Sequence, residues 1–545
     1  MRNAWRSMGS LLPSAKDYAG LKDSWRKDVL AGITVGIVAL PLALAFGVSS
    51  GVGAEAGLIT AIVAGLIAAI FGGSHVQVSG PTGAMVVVLA PIVLEHGVGS
   101  VMIVSLMAGI LLIVAGALRL GRTVGLIPWP VIEGFTVGIG VIIFLQQVPN
   151  ALDVSAEGHS TSALVAAWQS ITEASGQTVW YSLSTVLAVV ALMLVLAKFL
   201  PGIPGSFVAI VVVSVVAAVA NLPLTTIGSL PDSLPAPHLP QFAIASLPAL
   251  VGPAFAVAAL AAIESLLSAR VASTMADTGR YNADRELVGQ GLASIGSGLF
   301  GGMPATGAIA RTAVNVRSGA KTRLSAIVHA LALLGVVYLA STVVSKIPLA
   351  ALAGVLMVTA AKMVSPSLIK LLLKSTRPDA IVFIVTVIIT ITFDLIYAVA
   401  IGFGVAGVLA LRALSKASGV HREELRDEPV AGDDKIALFR IEGSLFFGAA
   451  ERIMERVTEC SGIEIVILRL SQVQLVDATG AHTLSELVSD LERRGITVLI
   501  KGIQPRHLSL FRQLGVLESL RHENHVFETL PPAIAHARAH VAKAA

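Results

Sequence analysis

The sequence predicts a polytopic α-helical membrane protein of about fourteen spans in a 7+7 inverted repeat, followed by a C-terminal cytoplasmic α/β domain. Three observations carry this. The 545-residue chain is 55% hydrophobic and only 13% charged, far too apolar for a soluble protein of that length. Two Gly/Pro-broken segments echo one another in long apolar surroundings: Phe71-Gly72-Gly73 with Pro81-Thr82-Gly83-Ala84, and Phe300-Gly301-Gly302 with Ala305-Thr306-Gly307-Ala308. Finally, the composition turns from apolar to charged at Leu414.

Residues 1–28 mix Arg2, Arg6, Lys16, Lys22, Arg26 and Lys27 with polar residues. They hold no short apolar core followed by a cleavage site, so they read as a cytoplasmic N-terminal segment rather than a signal peptide. Residues 29–415 carry the apolar runs, which at about 20 residues per span accommodate roughly fourteen crossings. Pro41, inside the first run, removes a backbone bond and is expected to kink it. The stretches 146–177 and 221–247 hold Asp153, Glu157, Glu173 and Asp232 but no Lys or Arg, which places them outside. Arg119 with Arg122, Lys198, Arg270 with Arg280 and Arg285, Arg317 to Arg323, Lys362 to Arg377, and Arg412 with Lys416 alternate with those stretches as cytoplasmic loops do. Both termini are then cytoplasmic, in the cell membrane. Residues 416–434 form a charged linker. Within 435–545, β-type runs at 436–441, 463–470 and 496–500 alternate with helical patterns at 449–458, 481–493 and 506–514, enough for one compact α/β domain.

Several function classes drop out. A formal charge of +4 comes with no basic stripe interleaved with aromatics, so nucleic acid is not a partner; the basic residues sit beside apolar spans, where membrane orientation explains them. One cysteine, Cys460, builds neither a disulfide framework nor a thiolate metal site within one chain. The twelve histidines show no ligand spacing, and His329, alone in an apolar run, reads as a satisfied bundle residue, so no metal is expected. No glycine-rich stretch follows a soluble strand with the lysine of a phosphate loop. The chain is not expected to be an enzyme or to carry a cofactor, and an ion or substrate gradient is the expected energy source.

The broken segments carry the chemistry. Phe-Gly-Gly is common in a chain with 51 glycines, and coincidence is one account of the echo. The other is functional: the copies lie about 220 to 230 residues apart, half the membrane region, and seven spans per half insert the second copy upside down. Interrupted backbone is tolerated in hydrocarbon only where protein or a watery cavity satisfies it. Glu264 sits in the otherwise apolar run 247–267, and Arg311 follows the second Thr-Gly-Ala element. Each would cost about 2.5 to 3.5 kcal/mol facing lipid at mid-bilayer. One reading makes them a structural ion pair or places them nearer the interface. The other surrounds an anion with Arg311 and two half-helix N-termini, one after Pro81 and one near Thr306, giving roughly +2 in total. Ionised Glu264 lowers that field to roughly +1, so its protonation couples to binding of a dianion. Thr82, Ser79, Thr306 and Thr312 offer hydroxyls there, although threonines in membrane helices usually bond their own preceding carbonyl. Phe46 either lines the cavity or packs.

The run 39–47 (Ala-Leu-Pro-Leu-Ala-Leu-Ala-Phe-Gly), the element 78–84 (Val-Ser-Gly-Pro-Thr-Gly-Ala), the segment 286–293 and Pro304-Ala305-Thr306-Gly307-Ala308-Ile309-Ala310-Arg311-Thr312 together resemble the SulP anion permeases, bacterial relatives of solute carrier family 26. The C-terminal region is similar to a STAS domain. What the resemblance implies is a core and a gate subdomain, a substrate site between the third and tenth helices, homodimers and elevator-like movement, with sulfate, bicarbonate, chloride or C4-dicarboxylates as substrates. Carried over by residue, it implies substrate contacts at Phe46, at Thr82, Gly83 and Ala84, and at Ala310, Arg311 and Thr312, with Glu264 as the coupling acid. The sodium-coupled bicarbonate branch resembles this chain less, since an Asp stands at the position of Glu264 there and a small residue at that of Arg311. That favours protons over sodium and a more charged anion. In the STAS-like region the family's phosphorylation loop appears as Asp477-Ala478-Thr479-Gly480; alanine at the acceptor position excludes phosphorylation there, and the domain is expected to serve dimer contact, assembly or a protein partner.

The expected function is thus proton-coupled uptake of sulfate or a C4-dicarboxylate. A bicarbonate carrier or anion exchanger is the alternative within transport. A membrane-anchored regulator, sensing an anion and recruiting partners through the STAS domain, is the alternative outside it, and costly charges inside the spans argue against that reading.

Overall fold

Apolar runs become helices here, several of them continuing through a proline such as Pro41, Pro91 or Pro253. The computed structural model describes residues 11–18, 20–122, 127–155, 159–200, 202–230, 232–240, 247–392, 395–417, 419–425, 429–445 and 462–544. By contacts the chain divides into two units, Met1–Phe403 and Gly404–Ala545. In the first unit the order is α1 Leu21–Ser49, α2 Ala54–Phe71, β1 Ser79–Gly80, α3 Gly83–His96, α4 Gly99–Ala117, α5 Trp129–Leu152, α6 Ala163–Glu173, α7 Gln177–Phe199, α8 Gly205–Val219 and α9 Leu247–Met275. It continues with α10 Ala283–Leu299, β2 Thr306–Gly307, α11 Ile309–Arg317, α12 Leu324–Val344, α13 Leu349–Leu373 and α14 Arg377–Thr392, and α15 Leu395–Ala417 crosses into the second unit.

Among the described residues, eight helices are long and apolar enough to cross a membrane, and three further apolar helices are shorter. α3 and α11 are short because they are half-helices that begin at the breaks. α1 starts at Leu21, and Asp28 within it is buried and accepts from the amides of Lys321 (2.7 Å) and Thr322 (3.0 Å). α1 also continues through Pro41. The external stretch expected at 146–177 contains α6, and Glu157 within it lies outside the described residues, as do Arg2 and Arg6.

Close helix approach is made by small residues, as expected where lipid gives helices no hydrophobic reason to associate. α4 and α10 meet at Gly109 and Gly291: a methyl on either would lie 2.5–2.6 Å from the other's carbonyl oxygen. The backbones are in contact there, which joins an early helix of the first half to the pre-break helix of the second.

The second unit is a five-stranded sheet in the order β3 Gly419–Glu423, β4 Ile436–Leu445, β5 Ile465–Val476, β6 Thr497–Lys501 and β7 Val526–Phe527. β3 is antiparallel to β4 and the remaining pairs are parallel. α16 Ala478–Arg493 and α17 Pro505–Gln513 cover one face with Leu484, Leu487, Val488 and Phe511, and α18 Leu530–Ala544 covers the other with Ala533, Ile534, Ala537 and Val541. Parallel strands buried on both faces read as unbroken apolar runs, which is why β4, β5 and β6 were legible. β3, in the expected linker, was not; Arg440 and Arg469 hold it through Glu423 at 2.7 and 2.9 Å. The helix expected at 449–458, and Cys460, lie outside the described residues. Asp477 caps α16 by accepting from the Gly480 amide at 2.7 Å.

The absence of ligand spacing among the histidines is corrected by this unit. His536 and His540 stand four apart on α18, and with His525 their candidate ligand atoms lie within 4.8 Å of one another. The spacing was visible in the sequence, but the third member comes from before β7.

Candidate functional site

α2 ends at Phe71 facing non-helical backbone, which leaves its last carbonyls without helical partners. Side chains of the second half satisfy them. Arg285 donates to the carbonyls of Phe71 (3.1 Å) and Ile70 (3.3 Å), and Arg323 to that of Ala69 (3.0 Å); cations are favourable at a helix C-terminus. Beyond the break, the Glu286 carboxylate accepts from the amides of Gly73 (2.7 Å) and Ser74 (3.2 Å) and from Nε2 of Gln77 and Gln290 (both 2.9 Å). Arg285 also pairs with Asp17 of the N-terminal segment at 2.8 Å. Arg285 and Arg323 are 6% and 1% exposed, because a broken helix end claims them.

The second break is capped without charge. Gly301 at φ +81° lets the Gly302 amide reach the Ser297 carbonyl at 2.8 Å, a Schellman closure, and Thr60 accepts from the Met303 amide at 2.8 Å. Both halves nonetheless follow one course: helix, break, two-residue strand, half-helix. The echo is structural rather than coincidental.

The two strands cross at the centre. β1 and β2 pair antiparallel, Ser79 opposite Gly307 and Gly80 opposite Thr306. Around them Ala308 N donates to Val78 O (2.9 Å), Val78 N to Thr312 Oγ1 (3.1 Å) and Gly307 N to Ser265 Oγ (3.0 Å). The half-helices start beside this crossing, α3 at Gly83 and α11 at Ile309, three residues after Thr306. Neither N-cap, Thr82 or Ala308, supplies a side-chain cap, so about half a positive charge at each helix end stays available.

Thr82 Oγ1 donates instead to Glu264 Oε2 at 2.7 Å, and Thr306 Oγ1 makes the same 2.7 Å contact. These hydroxyls escape the usual bond to a preceding carbonyl because both residues are in extended backbone; Thr60, Thr386 and Thr390, inside helices, make it. Arg311 is 2% exposed. Its Nη2 donates to the Pro81 carbonyl across the crossing, and its Nη1, beside Gly80, has no hydrogen-bond partner. Glu264 and Arg311 do not form a direct ion pair; the Glu264 carboxylate is held by the two threonine hydroxyls. What remains is a buried cation without a carboxylate partner beside two open helix ends. Such a charge is costly unless compensated.

Gly80 holds this arrangement open. An alanine methyl there would sit 2.6 Å from Arg311 Nη1, at a φ of +154° that side chains rarely adopt. Gly80→Ala is therefore expected to raise the KM for anion uptake at least tenfold at unchanged expression, and a wild-type KM would show that Arg311 is not needed in this position.

Of the other expected site residues, Phe46 is 6% exposed and lies over the first turn of α3, its Cε1 3.3 Å from where a Cβ of Gly83 would be. Ala84 is buried. Ala310 is exposed at the second position of α11 and offers its backbone amide, while the Thr312 hydroxyl is engaged by Val78 N and by Ser268 Oγ at 3.1 Å. Ser265, Ser268, Glu286 and Gln290 were missed. Their signal was spacing: Glu264, Ser265 and Ser268 share one turn of α9, and Glu286 and Gln290 stand four apart in an apolar helix. His329 is also corrected: it is fully buried and neither ring nitrogen has a partner, since its α1 neighbour is Gly36.

The family model described as the sulfate permease family matches residues 25–386, and the STAS domain matches residues 429–533. The chain is 35% identical over 516 residues to the putative sulfate transporter YvdB of Bacillus subtilis, covering 92% of this chain and 96% of that protein. It is 30% identical over 504 residues to the bicarbonate transporter BicA of a Picosynechococcus species, covering 88% of each. The solved structure described as the overall structure of SLC26A9 matches with a TM-score of 0.84 at 16% identity, over 98% of this chain and 94% of that one. At that identity the likeness concerns the fold: a helical membrane transporter architecture with a C-terminal STAS domain.

Proposed function

The chain belongs to the sulfate permease family, and we propose that it is a proton-coupled importer of a divalent oxyanion, either sulfate or a C4-dicarboxylate. Anion transport is the family's business, and its members are transporters rather than enzymes. The observation that carries the reading is the buried Arg311 guanidinium, with Nη1 unpartnered beside two uncapped helix ends. Gly83, Ala84, Ala310 and Arg311 present first-turn amides to the anion, Phe46 closes over Gly83, and Thr82 and Thr312 order the walls. Glu264 takes the proton. Pairing of β1 with β2 joins both half-helices into one body, which supports elevator-like displacement of the site as a unit. The protein works in the cell membrane as a homodimer with both termini cytoplasmic, and its STAS domain serves dimer contact, assembly or a protein partner.

Similarity to a protein named as a bicarbonate transporter supports the second reading, a bicarbonate carrier. Uptake by reconstituted full-length protein separates the two. Labelled sulfate, succinate and bicarbonate are offered under imposed proton or sodium gradients. Accumulation of sulfate or succinate under an inward proton gradient is expected; bicarbonate accumulation driven by sodium alone would replace this reading with the second.

A further inference from the structure

We propose that His525, His536 and His540 form a binding site for one divalent transition-metal ion of the zinc class in the C-terminal unit. His536 and His540 project from one face of α18, one turn apart. His525 closes the 3-10 turn Glu523–His525 immediately before β7. The ring centroids of His536 and His540 are 4.9 Å apart, and those of His525 lie 5.4 and 5.8 Å from them. Their candidate ligand atoms fall within 4.8 Å of one another. Nitrogens on one tetrahedral zinc stand about 3.4 Å apart, given bonds of about 2.0–2.1 Å, so small rotations of the imidazoles close the site.

A second observation points to a ligand. His525 is 1% exposed, and neither its Nδ1 nor Nε2 of His536 has a hydrogen-bond partner. Buried polar atoms are ordinarily paired, and a metal satisfies an imidazole nitrogen that no protein group reaches. The donor set fixes the class: three imidazoles with no carboxylate or thiolate suit zinc, nickel or copper(II) and not calcium or magnesium. Water fills the remaining position, or His522, whose ring lies 5.5 Å from that of His525. Of the cationic neighbours, Arg521 is paired with Glu492 at 3.2 Å and Arg538 with Asp433 at 2.8 Å. The ion would clip α18 to the β7 edge of the sheet, at the rim of the apolar contact made by Ile534, Ala537 and Val541.

The test titrates zinc into purified full-length protein in detergent after chelator treatment, against a chromophoric competitor. One zinc per chain with a sub-micromolar Kd is expected, together with a zinc-dependent rise in unfolding temperature. His540→Gln should weaken binding at least a hundredfold and abolish that rise, while its unfolding in chelator matches wild type; His421→Gln, on β3, serves as the control. If wild type binds zinc no tighter than His540→Gln, or if both retain the same stoichiometry and affinity, the three residues are a packed imidazole cluster and the proposal is wrong. Should His540→Gln fold poorly, the same comparison with His536→Gln decides.

Discussion

Arg311→Gln is expected to reduce anion uptake to background while the protein still folds and reaches the membrane. Among the described residues the guanidinium is the full positive charge at the crossing of β1 and β2, 2% exposed and not directly ion-paired to Glu264. A unit charge about 4 Å from an anion, at an effective dielectric near 20, contributes about 4 kcal/mol, or roughly a thousandfold in affinity. The helix ends contribute less, about half a charge each. Arg311→Lys separates charge from geometry: it keeps the cation but loses the forked reach from the Pro81 carbonyl to the site, and a KM raised at least tenfold is expected. Labelled sulfate uptake into proteoliposomes, with elution as a single peak in detergent, measures both. Near-normal uptake by Arg311→Gln would mean that the anion is held elsewhere.

Glu264→Gln should leave anion binding measurable and remove its proton dependence. Glutamine keeps an amide oxygen to accept from Thr82 and Thr306, which donate to Oε2 at 2.7 Å in the native protein, so the crossing survives the change. It carries no titratable proton. In the wild type, protonation of Glu264 removes one negative charge beside the anion, and uptake should rise as external pH falls and decline as it rises. In the variant, uptake between about pH 5.5 and 8 should be flat. An unchanged pH slope in Glu264→Gln would assign the proton to another group, with buried Glu286 next to be examined.

Much of this architecture could be read before any coordinates. Apolar composition announces the membrane because hydrocarbon selects residue types at every position of a span. The two breaks announce themselves because glycine and proline are local signals, and Glu264 and Arg311 stand out because charge inside an apolar run is costly. Parallel strands β4, β5 and β6 are legible for a similar reason, being buried on both faces.

What escaped is what depends on partners distant in sequence. Loop charges are counted one by one along the chain, and that count does not reveal that Arg285 and Arg323 pack against the carbonyls of Phe71, Ile70 and Ala69. Hydroxyl roles at Thr82 and Thr306 follow from extended backbone and from Glu264 arriving on α9. The four-residue spacing of His536 and His540 was passed over, and His525 meets them only when β7 lies beside α18. Residue chemistry therefore settled solvent, topology class and the costly charges, since each is a property of a short segment. Folding chose which charge meets which freed backbone group, because hydrogen bonds act over about 3 Å and the partners here come from opposite halves of the chain.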